Sequence, residues 1–221
     1  MRLRKKNWTD DFLNQHSFYL INYDNKKIDL KQIFLNNNPT CLEIGCGKGQ
    51  FITTLALKNL NTNYIGMEKS STITGVALKK SLKEFENQLK EMSNLKYFNN
   101  FAEDLSQMFS NDSFNKIYLN FSDPWPKARH YKKRLTYVKF LDIYSDILIK
   151  NGYLEFKTDN DSLYNFTIEQ LNLTNKWEIV INTTDLYNNT ELLKDNIATE
   201  YETKFHLANK NIYKIVIKNL K

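Results

Sequence analysis

An α/β fold, a mostly parallel seven-stranded sheet with helices on both faces, is predicted by three features of the 221-residue chain. From about residue 40 onward, short β-rich runs alternate with longer segments of helical period, the pattern of repeated βαβ units. The length suits one large domain, residues 1–221, better than two ordinary ones, and one core of that size buries roughly 70% of the unfolded surface. A hydrophobic content of 41% excludes general disorder. The apolar runs fall short of the roughly 20 residues a membrane span requires.

Strands are expected at residues 40–44, 63–68, 95–98, 115–121, 152–157, 177–183 and 211–218. After the second strand, Ile73, Val76, Leu82, Phe85, Leu89 and Met92 recur at steps of three, four or six, which marks one face of a helix. Leu135, Val138, Leu141, Tyr144, Ile147 and Leu148 do the same before the fifth strand, where Asn151-Gly152 reads as the helix stop. The first 38 residues show no clear period and are expected as an N-terminal basic arm. Residues 184–196 read as a polar, Asn-rich loop.

Net charge is +6 with a pI near 9.0, concentrated at Arg2, Arg4, Lys5 and Lys6 and again over residues 127–134. That distribution suits an anionic macromolecular partner, although charge by itself also serves solubility. The basic start is followed by no apolar stretch, so it does not read as a secretory signal, and a cytoplasmic protein without membrane association is expected. Cys41 and Cys46, five apart across a strand end, match neither a zinc spacing nor a disulfide framework, and both are expected as structural thiols. No metal site is expected. His16, His130 and His206 are scattered and none is assigned to catalysis. Trp8 and Trp177 are expected in packing, whereas Trp125 is a candidate for lining a base pocket.

Glu43-Ile44-Gly45-Cys46-Gly47-Lys48-Gly49 follows the first strand and opens a helix. Glycines let the backbone approach a ligand, and the helix start offers free N–H groups. A Gly-x-Gly-x-Gly turn also suits nicotinamide dinucleotides. Glu43 shifts the balance, because a carboxylate two places before Gly45 is awkward for a pyrophosphate and suits the cationic amino-acid end of S-adenosylmethionine. Glu68, 23 residues after Gly45, is placed to take both ribose hydroxyls of either cofactor.

Ligands of a doubly wound sheet bind outside the carboxyl ends of the strands. Glu43, Glu68, Glu103 or Asp104, Asp123 and Asp159 all fall at or just beyond expected strand ends, an acidic rim on a basic protein. The sharpest motif is Asn120-Phe121-Ser122-Asp123-Pro124-Trp125-Pro126-Lys127, followed by Ala128-Arg129-His130-Tyr131-Lys132-Lys133-Arg134. Two prolines around a tryptophan stiffen the loop that presents Asp123 and Lys127. The cations after it are able to neutralise phosphates.

These motifs, with Phe156-Lys157-Thr158-Asp159-Asn160 and Ile197-Ala198-Thr199-Glu200-Tyr201-Glu202 running on to Lys204-Phe205, resemble in order those of the bacterial tRNA (guanine-N7)-methyltransferase family. The resemblance spans residues 1–221, since the opening Arg2-x-Arg4 and residues 8–12 also resemble the family's start. It implies a Rossmann-like class I methyltransferase domain, S-adenosylmethionine as cofactor and tRNA as partner, with guanine 46 of the variable loop as the family target. It further implies that Glu43, Gly45, Gly47, Glu68 and Asp123 meet the cofactor, Asp123 being also the catalytic carboxylate. Lys127, Asp159, Thr199, Glu200, Tyr201 and Glu202 are implied to hold the guanine or its nucleotide, and Arg129, His130, Tyr131, Lys132, Lys133 and Arg134 to contact RNA. One position departs: Phe101-Ala102 stands where the family usually has Asp-Ala. The Ala102 backbone keeps its part in holding adenine, while Glu103 or Asp104 substitutes for the missing carboxylate.

Guanine N7 carries an unprotonated lone pair, so methyl transfer to it needs no general base. A fixed carboxylate is expected instead to accept hydrogen bonds from the base and to stabilise the positive charge growing on it. A nicotinamide-dependent oxidoreductase explains neither Glu43 nor the Asp123 loop. An exocyclic-amine methyltransferase has two consecutive prolines where Trp125 here separates them, and a non-catalytic RNA-binding module leaves the acidic rim unexplained. Monomer and homodimer are both compatible with the sequence.

Overall fold

The computed structural model describes residues 6–221, which divide after Ser110 into two units. Arg2, Arg4 and Lys5 of the basic start lie outside the described residues.

The first unit runs α1 (Trp8–Gln15), α2 (Leu30–Phe34), β1 (Thr40–Ile44), α3 (Gln50–Lys58), β2 (Asn63–Met67), α4 (Ser71–Asn87), β3 (Leu95–Phe98) and α5 (Leu105–Met108). Its strands are parallel in the order β3-β2-β1. Every residue of the three is buried, as strands covered on both faces should be. The segment without clear period is ordered from Trp8 onward. Thr9 and Leu13 of α1 are buried, and the Thr9 methyl lies 3.1 Å from where a Cβ on Gly75 would stand, so α1 packs on α4 through that glycine.

The inward face of α4 differs from the expected one. Thr74, Ala77, Leu78, Ser81 and Phe85 are buried, while Ile73, Val76 and Leu82 are half-buried. Leu89 is 96% exposed in a left-handed turn beyond the helix. Met92 is buried, also beyond it. Small and hydroxyl side chains serve the inner face because their hydrogen bonds close internally: Ser81 Oγ lies 2.6 Å from both Thr53 Oγ1 and Tyr97 Oη.

The second unit runs β4 (Phe114–Asn120), α6 (Val138–Ile147), β5 (Leu148–Thr158), α7 (Asp161–Leu171), β6 (Trp177–Thr183), α8 (Thr190–Lys194), α9 (Glu200–Leu207) and β7 (Tyr213–Asn219). β4 and β5 are parallel, and β7 runs antiparallel between β5 and β6. The seven strands among the described residues stand where the sequence places them, within a few residues.

α6 ends at Ile147, earlier than expected, and β5 begins at once. The side chain of buried Asn219 supports the stop, its Nδ2 donating to the carbonyls of Ser145 (2.9 Å) in the last turn of α6 and of Leu148 (3.3 Å) and Ile149 (3.3 Å) at the start of β5. Asn151, at φ +62°, and Gly152 form instead the irregularity of β5, where the register against β4 jumps from Phe114↔Leu148 to Lys116↔Tyr153. A Cβ on Gly152 would meet the carbonyl oxygens of Ile149 and Asn115 at 2.9 and 3.0 Å. Residues 184–196 are likewise more ordered than expected: Leu186 is buried and Asn189 caps α8, accepting from the N–H of Leu192 at 3.1 Å.

Candidate cofactor and nucleotide sites

The glycine turn leaves β1 with Gly45, Gly47 and Gly49 at φ +76°, +54° and +77°. The left-handed region is costly for any residue with a Cβ. At Gly45 and Gly47 a Cβ would meet nothing within 4 Å, so one side of the loop is open to an approaching ligand. Gly49 is tight instead, with Tyr97 Oη against the place a Cβ would take. A chain of hydroxyls from Tyr97 through Ser81 to Thr53 ends on the Gly49 carbonyl at 2.6 Å and holds the loop's far end. The motif reading missed Tyr97. Gly66 was the available signal, because a glycine inside a strand marks a close neighbour, and a Cβ there would meet the Tyr97 ring at 2.8 Å.

Two carboxylates flank this loop. Glu43 is buried within β1, 2% exposed. Glu68 directly follows β2 and accepts from Gly47 N–H (3.3 Å) and Ser70 N–H (3.1 Å). Burial pushes the Glu68 carboxyl above its ordinary range, against the opposing pull of those two donors and of Lys69. The buried Cys46 thiol reports both acids, for burial, Glu43 and Glu68 in that order raise it well above the usual thiol range. Cys41 and Cys46 are both free and buried. A loop so acidic repels a pyrophosphate and fits a ligand with cationic groups and a ribose.

Past β3, Asn99 Nδ2 donates to the Glu68 carbonyl at 2.7 Å. Ala102 is buried and opens a short 3-10 turn, while Phe101 is exposed, Glu103 exposed and Asp104 half-buried.

In the second unit Asp123 stands exposed in a loop bracketed by two non-glycine residues with positive φ, Phe121 (+51°) and Trp125 (+42°). Such backbone is held only where surrounding contacts outweigh its cost. Here Arg134 supplies them: its Nε donates to Pro124 O (3.0 Å), an Nη to Trp125 O (3.3 Å), and its guanidinium lies 4.4 Å over the Phe166 ring. Trp125 is further fixed by His130 edge-on at 5.6 Å and by Lys133 Nζ at 4.9 Å over its ring. Ser122 buries its hydroxyl oxygen with no partner among the described residues. Lys127, Arg129, Tyr131, Lys132 and Lys133 are exposed.

A family model described as "Putative methyltransferase" matches residues 37–215. The protein named tRNA (guanine-N(7)-)-methyltransferase in Mycoplasma mycoides subsp. mycoides is 96% identical over the whole of both chains. The one so named in Mesoplasma florum is 59% identical over 99% of each. The chain belongs to the tRNA (guanine-N(7)-)-methyltransferase family. A solved antibiotic-related methyltransferase, 20% identical, superposes with a TM-score of 0.59 over 91% of this chain and 100% of its own, and shows the Rossmann-like methyltransferase fold.

In this member of the tRNA (guanine-N(7)-)-methyltransferase family, Glu202, Thr199 and Arg134 make contacts within the protein. Glu202 has no exposed side-chain surface: its carboxylate meets Lys157 Nζ (2.6 Å), Asn196 Nδ2 (2.5 Å) and the Tyr187 hydroxyl (3.3 Å). Burial and that carboxylate push the Tyr187 phenol up to about 12, so it remains a donor. Thr199 is buried as the N-cap of α9, accepting from Glu202 N–H at 2.9 Å. Arg134 holds the Asp123 loop. Glu200 and Tyr201 are exposed on α9, and Asp159, just past β5, holds Lys210 at 2.6 Å.

Among the described residues no group of three or more His, Cys, Asp or Glu is placed to hold a metal ion, and no helix is long and apolar enough to cross a membrane.

Proposed function

We propose that the chain is an enzyme that transfers the methyl group of S-adenosylmethionine to N7 of a guanine in tRNA, guanine 46 of the variable loop being the family target. The full-length identity to proteins of that name carries the reading. The open glycine turn between two carboxylates supports the choice of cofactor. Residues 1–221 form one cytoplasmic domain with a basic N-terminal segment, acting as monomer or homodimer.

Glu43 would hold the cationic amino-acid end of the cofactor, the backbone of Gly45 and Gly47 would lie along it, Glu68 would take the ribose hydroxyls, and Ala102 with Glu103 would hold the adenine. S-adenosylmethionine, when bound, supplies a methyl group on a cationic sulfur. Asp123 accepts hydrogen bonds from guanine N1–H and N2–H and stabilises the positive charge that grows on the base; it takes no proton from N7. Lys127, Asp159, Glu200 and Tyr201 position the nucleotide. Arg129, Lys132 and Lys133 neutralise phosphates, with His130 and Tyr131 beside them. Thr199 and Glu202 complete the nucleotide-holding run while fixing the start of α9, and Arg134 ends the RNA-contacting stretch while holding the Asp123 loop. Much of the remaining rate comes from holding nucleophile and methyl group in line.

Incubating the enzyme with an unmodified tRNA transcript and isotope-labelled cofactor, followed by mass spectrometry of the nucleosides, tests this reading. Labelled 7-methylguanosine is expected. Label on an exocyclic amine, or none in RNA, rejects it.

A further inference from the structure

Resting on the reading that α9 presents Glu200 and Tyr201 to the tRNA nucleotide, we infer that Tyr187 is a positioning residue for that reaction, a strut that sets α9 in place by stacking on His206. Of the eight residues of α9, Glu202 is the one that is buried. A helix of about two turns is marginal by itself, and one inward side chain does not fix its rotation. The Glu202 carboxylate ties the first turn to Lys157. Tyr187 holds the last: its ring faces that of His206 at a centroid distance of 3.6 Å with the planes 10° apart, the contact distance of two flat rings. Its hydroxyl donates to Glu202 Oε1 at 3.3 Å, so one side chain spans the turn from Glu202 to His206.

The base of the strut is itself fixed. Tyr187 N–H donates to Asp185 Oδ1 and Asp185 N–H to Thr183 Oγ1, each at 3.2 Å. Leu186 is fully buried, and its N–H donates to Ile212 O at 2.8 Å. Tyr187 therefore leaves a turn anchored to the end of β6 and to the residue before β7, and reaches α9 from outside that helix. His206 is exposed and Tyr187 half-buried, so the stack is a surface contact whose loss empties no core. Without it, α9 is free to turn about the Glu202–Lys157 anchor, and every side chain it displays turns with it, Glu200 and Tyr201 included. Asp123 stands in a separate loop held by Arg134. Losing the strut thus loosens the hold on tRNA and leaves the transfer step at Asp123 as it was.

The test compares wild type with Tyr187→Leu, Tyr187→Phe, His206→Leu and the Tyr187→Leu, His206→Leu double variant. Steady-state methylation of an unmodified tRNA transcript gives kcat and KM, filter retention gives the tRNA Kd, and calorimetry gives the affinity for S-adenosylmethionine. Loss of one ring stack should raise KM and Kd for tRNA by about 2- to 12-fold in either single Leu variant, at nearly unchanged kcat and cofactor affinity. The double variant should be no worse than either, because both changes remove the same contact. Tyr187→Phe keeps the ring and should restore wild-type values. A variant that merely weakens the fold lowers the amount of active enzyme, and hence kcat, without moving KM. A wild-type KM in Tyr187→Leu, a fall confined to kcat, additive losses in the double variant, or an equal loss in Tyr187→Phe would overturn the proposal, and so would a matching loss of cofactor affinity. Because tRNA retention is read without turnover, a wild-type enzyme that binds tRNA yet forms no 7-methylguanosine would reject the proposed reaction, and the Kd comparison would still decide the strut.

Discussion

Glu68 serves two sets of partners in turn. In the protein alone it accepts from Gly47 and Ser70 N–H groups, and in the proposed complex it accepts from two ribose hydroxyls, so its value lies in being ionised. Burial raises its pKa, which brings its protonation closer to working pH than for an ordinary glutamate. The sign follows: as pH falls through the raised pKa, one acceptor oxygen becomes a donor and cofactor affinity drops. Calorimetry from about pH 8 down to pH 5 should show that loss setting in above the ordinary glutamate range, and Glu68→Gln should weaken binding and flatten the profile. Asp123→Ala should instead remove most turnover while leaving more of the cofactor affinity. Equal binding losses in the two variants, or a flat wild-type profile, would refute this division of labour.

Among the elements, α9 depends most on one interaction. Lys157 and Glu202 are both without exposed side-chain surface, and taking either away leaves the other as an uncompensated buried charge. Lys157→Met or Glu202→Leu alone should each lower the unfolding free energy by about 3–5 kcal/mol, whereas the double replacement should recover much of that loss. Denaturant titration of the three variants measures it, and additive losses would show that the pair is not coupled. The same helix explains what was hidden in the sequence. Thr199-Glu200-Tyr201-Glu202 gives no sign of which members turn inward, since that depends on Lys157 arriving from a strand 45 residues earlier. The α4 face was misread for a related reason: Thr74, Ala77 and Ser81 are inside because their partners are, and a hydrophobic period does not see satisfied hydroxyls.

Across the whole molecule, the strands were legible as short runs rich in β-branched and aromatic residues, in mostly exposed β6 as well as in the buried β1 to β3. The positions of Glu43, Glu68 and Asp123 were legible because each stands at or beside a strand end. What the sequence does not show is non-local, such as the hydrogen bonds by which Arg134, within a basic run, also binds the Pro124 and Trp125 carbonyls. This separates the basic residues into two kinds by their salt response. For a protein of net charge +6, Lys132→Ala with Lys133→Ala should flatten the slope of log K against log salt by about 1.5 units and spare turnover at saturating tRNA. Arg134→Ala should lower kcat with little change in slope, because it releases the loop that carries Asp123. Filter retention across a salt series with parallel kinetics distinguishes them, and a slope change of the same size in Arg134→Ala would return it to the RNA. Asn219 carries a consequence for the order of biosynthesis. Its contact with Ser145 spans 74 residues, so the last turn of α6 is made long before the side chain that closes it. While the chain emerges from the ribosome, that helix end remains frayed and water-bound until β7 has been synthesised, and the second unit acquires its final shape only then.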